Sequence, residues 1–545
     1  MAVRERRGAR LRRAARGRAG VVALACGLYL GAGVSTTWPA VEHARSSFLA
    51  GGAAGHGEAA PGDHLQTLYH LWLVGHQLED GRAPWLDPYS FRPESPPTPN
   101  LAGWPYGLVY WPLGRLLGTV GGWNALVLLT YLAAGGLACL WLRELDLPLG
   151  ASLAGGLAFA IAPYRVAQST GHLLGPISIL LPLALLAFEL GRRRGLGWLL
   201  VAVAAVVSIP LSGQVHLALG AVPFFFAYGL VRACDRRTLV AVGVAVVAAA
   251  GAGVLVRQTT ILHSHLAAGR ALHSVDRYSA SWSDFLSRHQ GREPERFVFL
   301  GWLTPLLALA GLALLARARR GLAVVLGLGA LVPILLALGT RTPLYSAVWH
   351  TLPPFRYPRV PERLLPVACL CVAALVAFAV ARLPRAALVS AIAVAALAVD
   401  LHVHVYDATA AGEGNRAYTA LRREPPGRLL ELPIFYPDLH YGGVYQYYSM
   451  QAPRERPAGY STVAPRDALD LMIRLRPLNC GRGDLPRRLG VRYVAIHDGL
   501  YRGSGRVRPA CRGPALRRLR ALGFRPVAED GAVSVWRAGP ARRTP

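Results

Sequence analysis

Long apolar runs recur from the N-terminus to about residue 400, and they limit what this chain can fold into more than any motif does. A helix that crosses the roughly 30 Å hydrocarbon core of a bilayer needs about 20 consecutive, mostly apolar residues. Windows of that length give about eleven spans. They run over Gly20–Thr37, Trp123–Leu142, Leu149–Ala162, Leu173–Leu190, Leu196–Leu211, Val215–Val231, Leu239–Val256, Phe297–Leu315, Leu322–Leu338, Leu364–Val380 and Ala386–Val399. With 53% hydrophobic residues, 16% charged residues and a mean hydropathy of +0.33, the chain reads as a mainly α, polytopic membrane protein, and a soluble enzyme is excluded.

The formal net charge of +29 would suit a nucleic-acid binder, yet all 59 basic residues are arginine and they are spread among short loops. A nucleic-acid interface gathers them on one soluble face with aromatics between, so no nucleic acid is expected as a partner. Arginine in short loops instead sets orientation. Arg4–Arg18, Arg143, Arg192–Arg194, Arg232–Arg237, Arg317–Arg320, and Arg382 with Arg385 fall on one side if every span crosses, and that side is expected to be the cytoplasmic face of an inner or plasma membrane. Residues 1–19 then form a basic cytoplasmic N-terminus and residues 20–401 the transmembrane domain. The first span follows basic residues but is long and lacks a small-residue cleavage site, so it is read as an uncleaved helix.

Residues 38–122, 257–296 and 339–363 and the C-terminal stretch 402–545 are then extracytoplasmic and too long to be connectors, and function is sought there. The first carries Pro61–Asp87, PGDHLQTLYHLWLVGHQLEDGRAPWLD, whose apolar residues around Leu65, Leu68, Leu71 and Trp72 predict an amphipathic helix lying in the membrane interface. In the tail, strand-like Leu429–Pro433, Val491–His497 and Val533–Ala538 alternate with helical PRDALDLMIRL and PALRRLRALGF, which predicts a C-terminal extracytoplasmic α/β domain. Cys480 and Cys511 are the tail's two cysteines. Either they pair in an oxidising compartment, contributing roughly 3 kcal/mol, or they remain unpaired core thiols. The other five cysteines lack ligand spacing.

Several segments carry a family resemblance: GDHLQ (Gly62–Gln66), PWLDPYSFRPE (Pro84–Glu94), FAIAPYRVAQSTGHLLG (Phe159–Gly175), FRYPRVPER (Phe355–Arg363), and the tail's LLELP, RPAGYS and LGVRYVAIH. In these the chain resembles bacterial integral-membrane proteins of the GT-C superfamily, which are polyprenyl-phosphate-sugar-dependent glycosyltransferases. The resemblance implies a GT-C-like helical domain with a catalytic carboxylate in the first outside loop, and the matching residue is Asp63. Members often carry an Asp-Glu pair, whereas His64 follows Asp63 here, and Asp63 lies far from the first span. Glu42, nearer the membrane exit, is therefore a rival.

Sugar transfer from a lipid phosphate to a hydroxyl needs a base for the hydroxyl proton and positive charge for the departing phosphate. A carboxylate fits the first role, and arginine, with its planar fork and permanent charge, the second. Arg165, Arg257, Arg277, Arg356, Arg359 and Arg363 lie near predicted membrane boundaries, and His172 offers a further donor. Expected partners are the lipid bilayer, a polyprenyl-phosphate sugar donor and an envelope glycan, lipid or protein acceptor. No other cofactor is expected, although a divalent metal stays open. His263, His265 and His273 with Asp276 are too loosely spaced to name as metal ligands.

Each assignment has a structural alternative. Asp63 can cap the helix that begins at His64, Arg165 can anchor a helix end to headgroups, and Arg356, Arg359 and Arg363 can shape a re-entry turn. A lipid-linked glycan polymerase or ligase would use the same groups. A non-catalytic assembly protein would dispense with the loop carboxylates. A transporter or flippase would place ionisable residues inside the spans, where Glu189 and Asp400 stand near predicted ends.

Overall fold

The computed structural model describes residues 2–52, 54–291, 294–383 and 387–539, with side chains from Ala19 onward except at Ala387. Arg385 and the side chains of Arg4–Arg18 lie outside that description. Among the described residues, seven helices are long and apolar enough to cross a bilayer: Ala19–Thr37, Tyr106–Glu144, Leu174–Arg194, Val215–Arg232, Arg236–His263, Arg320–Ala337 and Pro361–Val380. Four shorter apolar helices, Leu149–Ala160, Leu196–Leu211, Leu303–Ala318 and Leu388–Leu401, stand where the remaining runs were read. Large apolar side chains such as Leu116, Val247, Leu306 and Leu388 point outward from this bundle, which suits a hydrocarbon solvent and not water. Leu365–Val380 is buried along nearly its whole length and forms the centre around which the other helices pack.

The arginine-bearing turns meet at one end of the bundle. Arg193 reaches Glu144 at 3.1 Å and Arg319 reaches Asp146 at 3.2 Å. Arg232 grips the buried Glu189 with two nitrogens, at 2.7 and 2.9 Å, and Tyr228 donates to the same carboxylate at 2.6 Å. Asp235 caps the helix that starts at Arg236, its carboxylate accepting from the Thr238 N–H at 2.8 Å. These contacts place residues 143–146, 189–194, 232 and 319 together.

The opposite end carries the long segments, and two expectations change there. The segment 38–122 ends as helix, not as loop: Tyr106–Glu144 is one helical stretch broken at Gly118, whose φ of 75° is open to glycine. A Cβ on Gly122 would sit 2.8 Å from the Gly114 Cα, so the two limbs of this bend touch through glycines. The sequence pattern lays the apolar face of the helix Asp63–Glu79 in the membrane interface, and here that face is packed inside the protein. Its His64, Leu65, Leu68, Tyr69, Leu71, Leu73 and Val74 are all buried, because the tail helix Gly442–Ser449 packs over Leu65 and Gln66 while the helix Tyr106–Glu144 packs over Leu71, Val74 and Gly75.

The tail contains a four-stranded mixed sheet. Arg428–Leu432 runs parallel to Val491–His497, which pairs antiparallel with Val533–Ala538, and Phe524–Asp530 forms the edge. Helices Arg466–Leu475 and Arg512–Ala521 cover it around Leu430, Ile496, Leu471 and Leu519. Cys480 and Cys511 are bonded. The tail is joined to the first loop by many contacts, among them a strand pair and two buried hydrogen-bonded contacts. Strand Asp407–Ala410 pairs antiparallel with Ser47–Ala50. Glu58 meets His497 at 2.5 Å with both side chains fully buried, and the Ala59 N–H donates to the Tyr448 hydroxyl at 2.9 Å.

Candidate active site

The seam between tail and bundle encloses a cavity of about 290 Å³ at the end opposite the arginine turns. Ser212–His216, between two helices, and Val256 with Thr260, at the close of another, form part of its wall. Asp63 enters from the first residue of the Asp63–Glu79 helix, where the positive end of the helix dipole favours an anion. Its carboxylate accepts a hydrogen bond from the Tyr460 hydroxyl, supplied by the tail, and lies 3.2 Å from His172 Nε2. Asp63 is thus inside the helix with its side chain turned to the cavity, and Gly62 occupies the cap position.

His172 also faces Glu295 at 3.6 Å, and Glu295 is held by Arg363 at 2.7 Å. Two carboxylates therefore share one imidazole, and only one of them has an arginine. Burial pushes both carboxyls up. For Asp63, the charge of His172 and the Tyr460 hydrogen bond outweigh it and hold the group below the usual carboxylate range. For Glu295, Arg363 and His172 bring it down to about 2. Both are ionised at neutral pH.

Arg270 and Arg359 line the same cavity without a direct ion pair among the described residues, although Asp438 acts on Arg270 and Glu295 on Arg359 from farther off. Arg270 donates to the Tyr357 carbonyl at 3.0 Å, and its N–H binds the Arg356 carbonyl at 2.7 Å, so it braces the FRYP turn from behind. Arg359 stacks over the Tyr278 ring at 5.3 Å. Burial, with Arg359 close by, lowers Arg270 to about 10. Like charges this close in a half-buried wall are costly unless an anion joins them.

The sequence-read residues divide sharply. Asp63, His172, Arg359 and Arg363 come together at this cavity. Arg165 does not reach it: its side chain is fully buried and spent on the Ala160 and Thr130 carbonyls at 2.7 and 3.0 Å, beneath Tyr131 and Phe159. Arg356 is exposed and folds back on the Trp349 and His350 carbonyls. Glu42 is exposed in the turn Ala40–His43, away from the cavity. Sequence reasoning missed Arg270, Glu295 and Tyr460. Tyr460 lies in the RPAGYS segment, but nothing local marks a tyrosine that meets a carboxylate 397 residues away. Among the described residues no three His, Cys, Asp or Glu side chains converge as a metal site, and no step below passes through a metal.

No family model and no curated protein matches the sequence. Solved structures do match the fold. The arabinofuranosyltransferase AftD from Mycobacteria superposes over 95% of this chain with a TM-score of 0.58 and 15% identity. The chain has a GT-C-like fold. A second AftD structure, of its R1389S mutant, matches over 92% of this chain with a TM-score of 0.54 and 18% identity. ArnT from Cupriavidus metallidurans aligns over 97% of this chain and 100% of its own, with a TM-score of 0.48 and 14% identity. This GT-C-like chain covers 40% of AftD's length.

Proposed function

We propose that this chain is a membrane glycosyltransferase that moves a sugar from a polyprenyl-phosphate donor to a hydroxyl of an envelope acceptor on the outer face. The observation that carries the reading is one cavity in which an ionised carboxylate, Asp63, shares the wall with Arg270, Arg359 and Arg363, the first two without a direct ion pair among the described residues. The acceptor O–H gives its proton to Asp63 while its oxygen bonds to the anomeric carbon. The bond from that carbon to the phosphate oxygen breaks, and its electron pair leaves with the polyprenyl phosphate. Arg270, Arg359 and Arg363 hold that anion, through charge fixed in place before the reaction begins. His172 and Tyr460 orient the Asp63 carboxylate. The arginine turns gathered at the far end of the bundle support a cytoplasmic placement for that end and an outer placement for the cavity and tail.

Mass spectrometry of lipid-linked sugars and envelope glycans tests this in cells lacking the protein. Wild type restores a missing glycan, and Asp63→Asn at equal membrane abundance does not. Full complementation by Asp63→Asn would remove the proposed base.

A further inference from the structure

A second cavity, of about 240 Å³, abuts the first, and the two share His70, Pro99, Thr260, Tyr460, Ser461 and Val463 as common wall. We infer that this second cavity is the acceptor site and takes a neutral, hydroxyl-rich glycan unit. The inference rests on the glycosyl-transfer reading above and adds the chemistry of the second substrate.

The two cavities differ in charge. Three arginines face the first and none faces the second. The single carboxylate of the second, Asp87, is already engaged: its Oδ1 accepts from the Tyr69 hydroxyl at 2.8 Å and from the N–H groups of Tyr89 and Ser90 at 2.9 and 3.2 Å. An anionic ligand would find no arginine there, only the imidazoles of His70 and His263, and burying an unpaired charge is costly. Neutral polar capacity is left over instead. Gln446 is 1% exposed and spends its amide N–H on the Tyr460 carbonyl at 3.4 Å, while its Oε1 has no hydrogen-bond partner. The buried Nδ1 of His70 has none either. A ligand hydroxyl satisfies both, whereas an apolar ligand leaves them unpaired at a cost. Phe91 and the Pro96–Pro99 segment supply the apolar wall against which the C–H face of a sugar ring packs. That wall is closely fitted to the tail, since a Cβ on Gly459 would fall 2.7 Å from the Phe91 ring.

Tyr460 stands between the two spaces with its hydroxyl on Asp63. An acceptor hydroxyl that displaces the phenol makes the same contact, and from there gives its proton to Asp63.

The test uses the full-length protein in nanodiscs with two probes, undecaprenyl phosphate for the arginine cavity and short neutral arabinan, mannan and galactan oligosaccharides for the second. Saturation-transfer NMR reads the sugars, and native mass spectrometry reads the lipid. At least one oligosaccharide should bind wild type and bind about tenfold more weakly to Thr98→Trp, which fills the cavity, and to Gln446→Leu, which removes the free acceptor. Undecaprenyl phosphate binding should be unchanged in both, while Arg359→Ala should weaken the lipid and spare the sugar. The assignment is overturned if no oligosaccharide binds a protein that holds undecaprenyl phosphate, if both substitutions leave sugar binding intact, or if Arg359→Ala abolishes it. Retained sugar binding that Thr98→Trp removes, on a protein that does not hold the lipid, supports this assignment and counts against the donor reading alone.

Discussion

Asp63 is poised against burial chiefly by His172 from the bundle and Tyr460 from the tail, with His440 of the tail adding to them. Burial raises its pKa, while the phenol hydrogen bond lowers it by favouring the ionised form. Removing that hydrogen bond must therefore move the pKa upward. Tyr460→Phe should shift the acidic limb of the pH–rate profile to higher pH by roughly one unit, with a smaller change at the plateau. An acidic limb that stays in place would leave Tyr460 without an electrostatic role. Asp63 was singled out by the resemblance carried by GDHLQ, since a carboxylate after Gly62 and ahead of an amphipathic run reads equally well as a helix cap. Arg165 shows how little a short motif says about direction. APYR looks like a boundary arginine, and nothing in those four residues shows that the side chain turns inward to two carbonyls.

Among the elements, the apolar helices and three strands of the tail sheet were legible. The edge strand Phe524–Asp530, whose first residue was read into the helical run PALRRLRALGF, and the mutual contacts of the elements were not. Apolar run length and the short, β-branched and aromatic runs of Val491–His497 and Val533–Ala538 are properties of a single segment. The burial of Asp63–Glu79 is a property of its partner, since the same amphipathic pattern serves lipid or a second helix equally. What anchors the tail is the fully buried Glu58–His497 pair, in which Glu58 also accepts the Leu500 N–H at 2.9 Å and His497 meets the Tyr418 hydroxyl at 3.0 Å. Glu58→Ala strands these buried polar groups and should cost about 3 kcal/mol. Thermal unfolding of the purified protein checks this, together with protease sensitivity in residues 402–539. An unchanged melting temperature would show that the strand pair Ser47–Ala50 with Asp407–Ala410 is sufficient to dock the tail.

At the scale of the whole molecule, the distribution of arginine is an orientation signal that the tertiary structure gathers into one place. Cys234 is an exposed thiol beside the arginine turns, whereas Arg508 is exposed on the tail. In intact cells a membrane-impermeant maleimide should label an Arg508→Cys variant and spare Cys234, and Cys234 should react once the membrane is opened. Labelling of Cys234 in intact cells would invert the topology and put the cavity on the wrong face for an envelope acceptor. Sequence by itself determined the membrane class, the rough positions of the apolar helices and the α/β character of the tail, because run length, local pattern and charge are written locally. Tertiary structure alone decided that the tail supplies Tyr460, that Arg270 and Glu295 join the site, and that Arg165, Arg356 and Glu42 do not. These depend on contacts between segments hundreds of residues apart, whose pairing is set by the packing of the whole chain and leaves no trace in any local pattern.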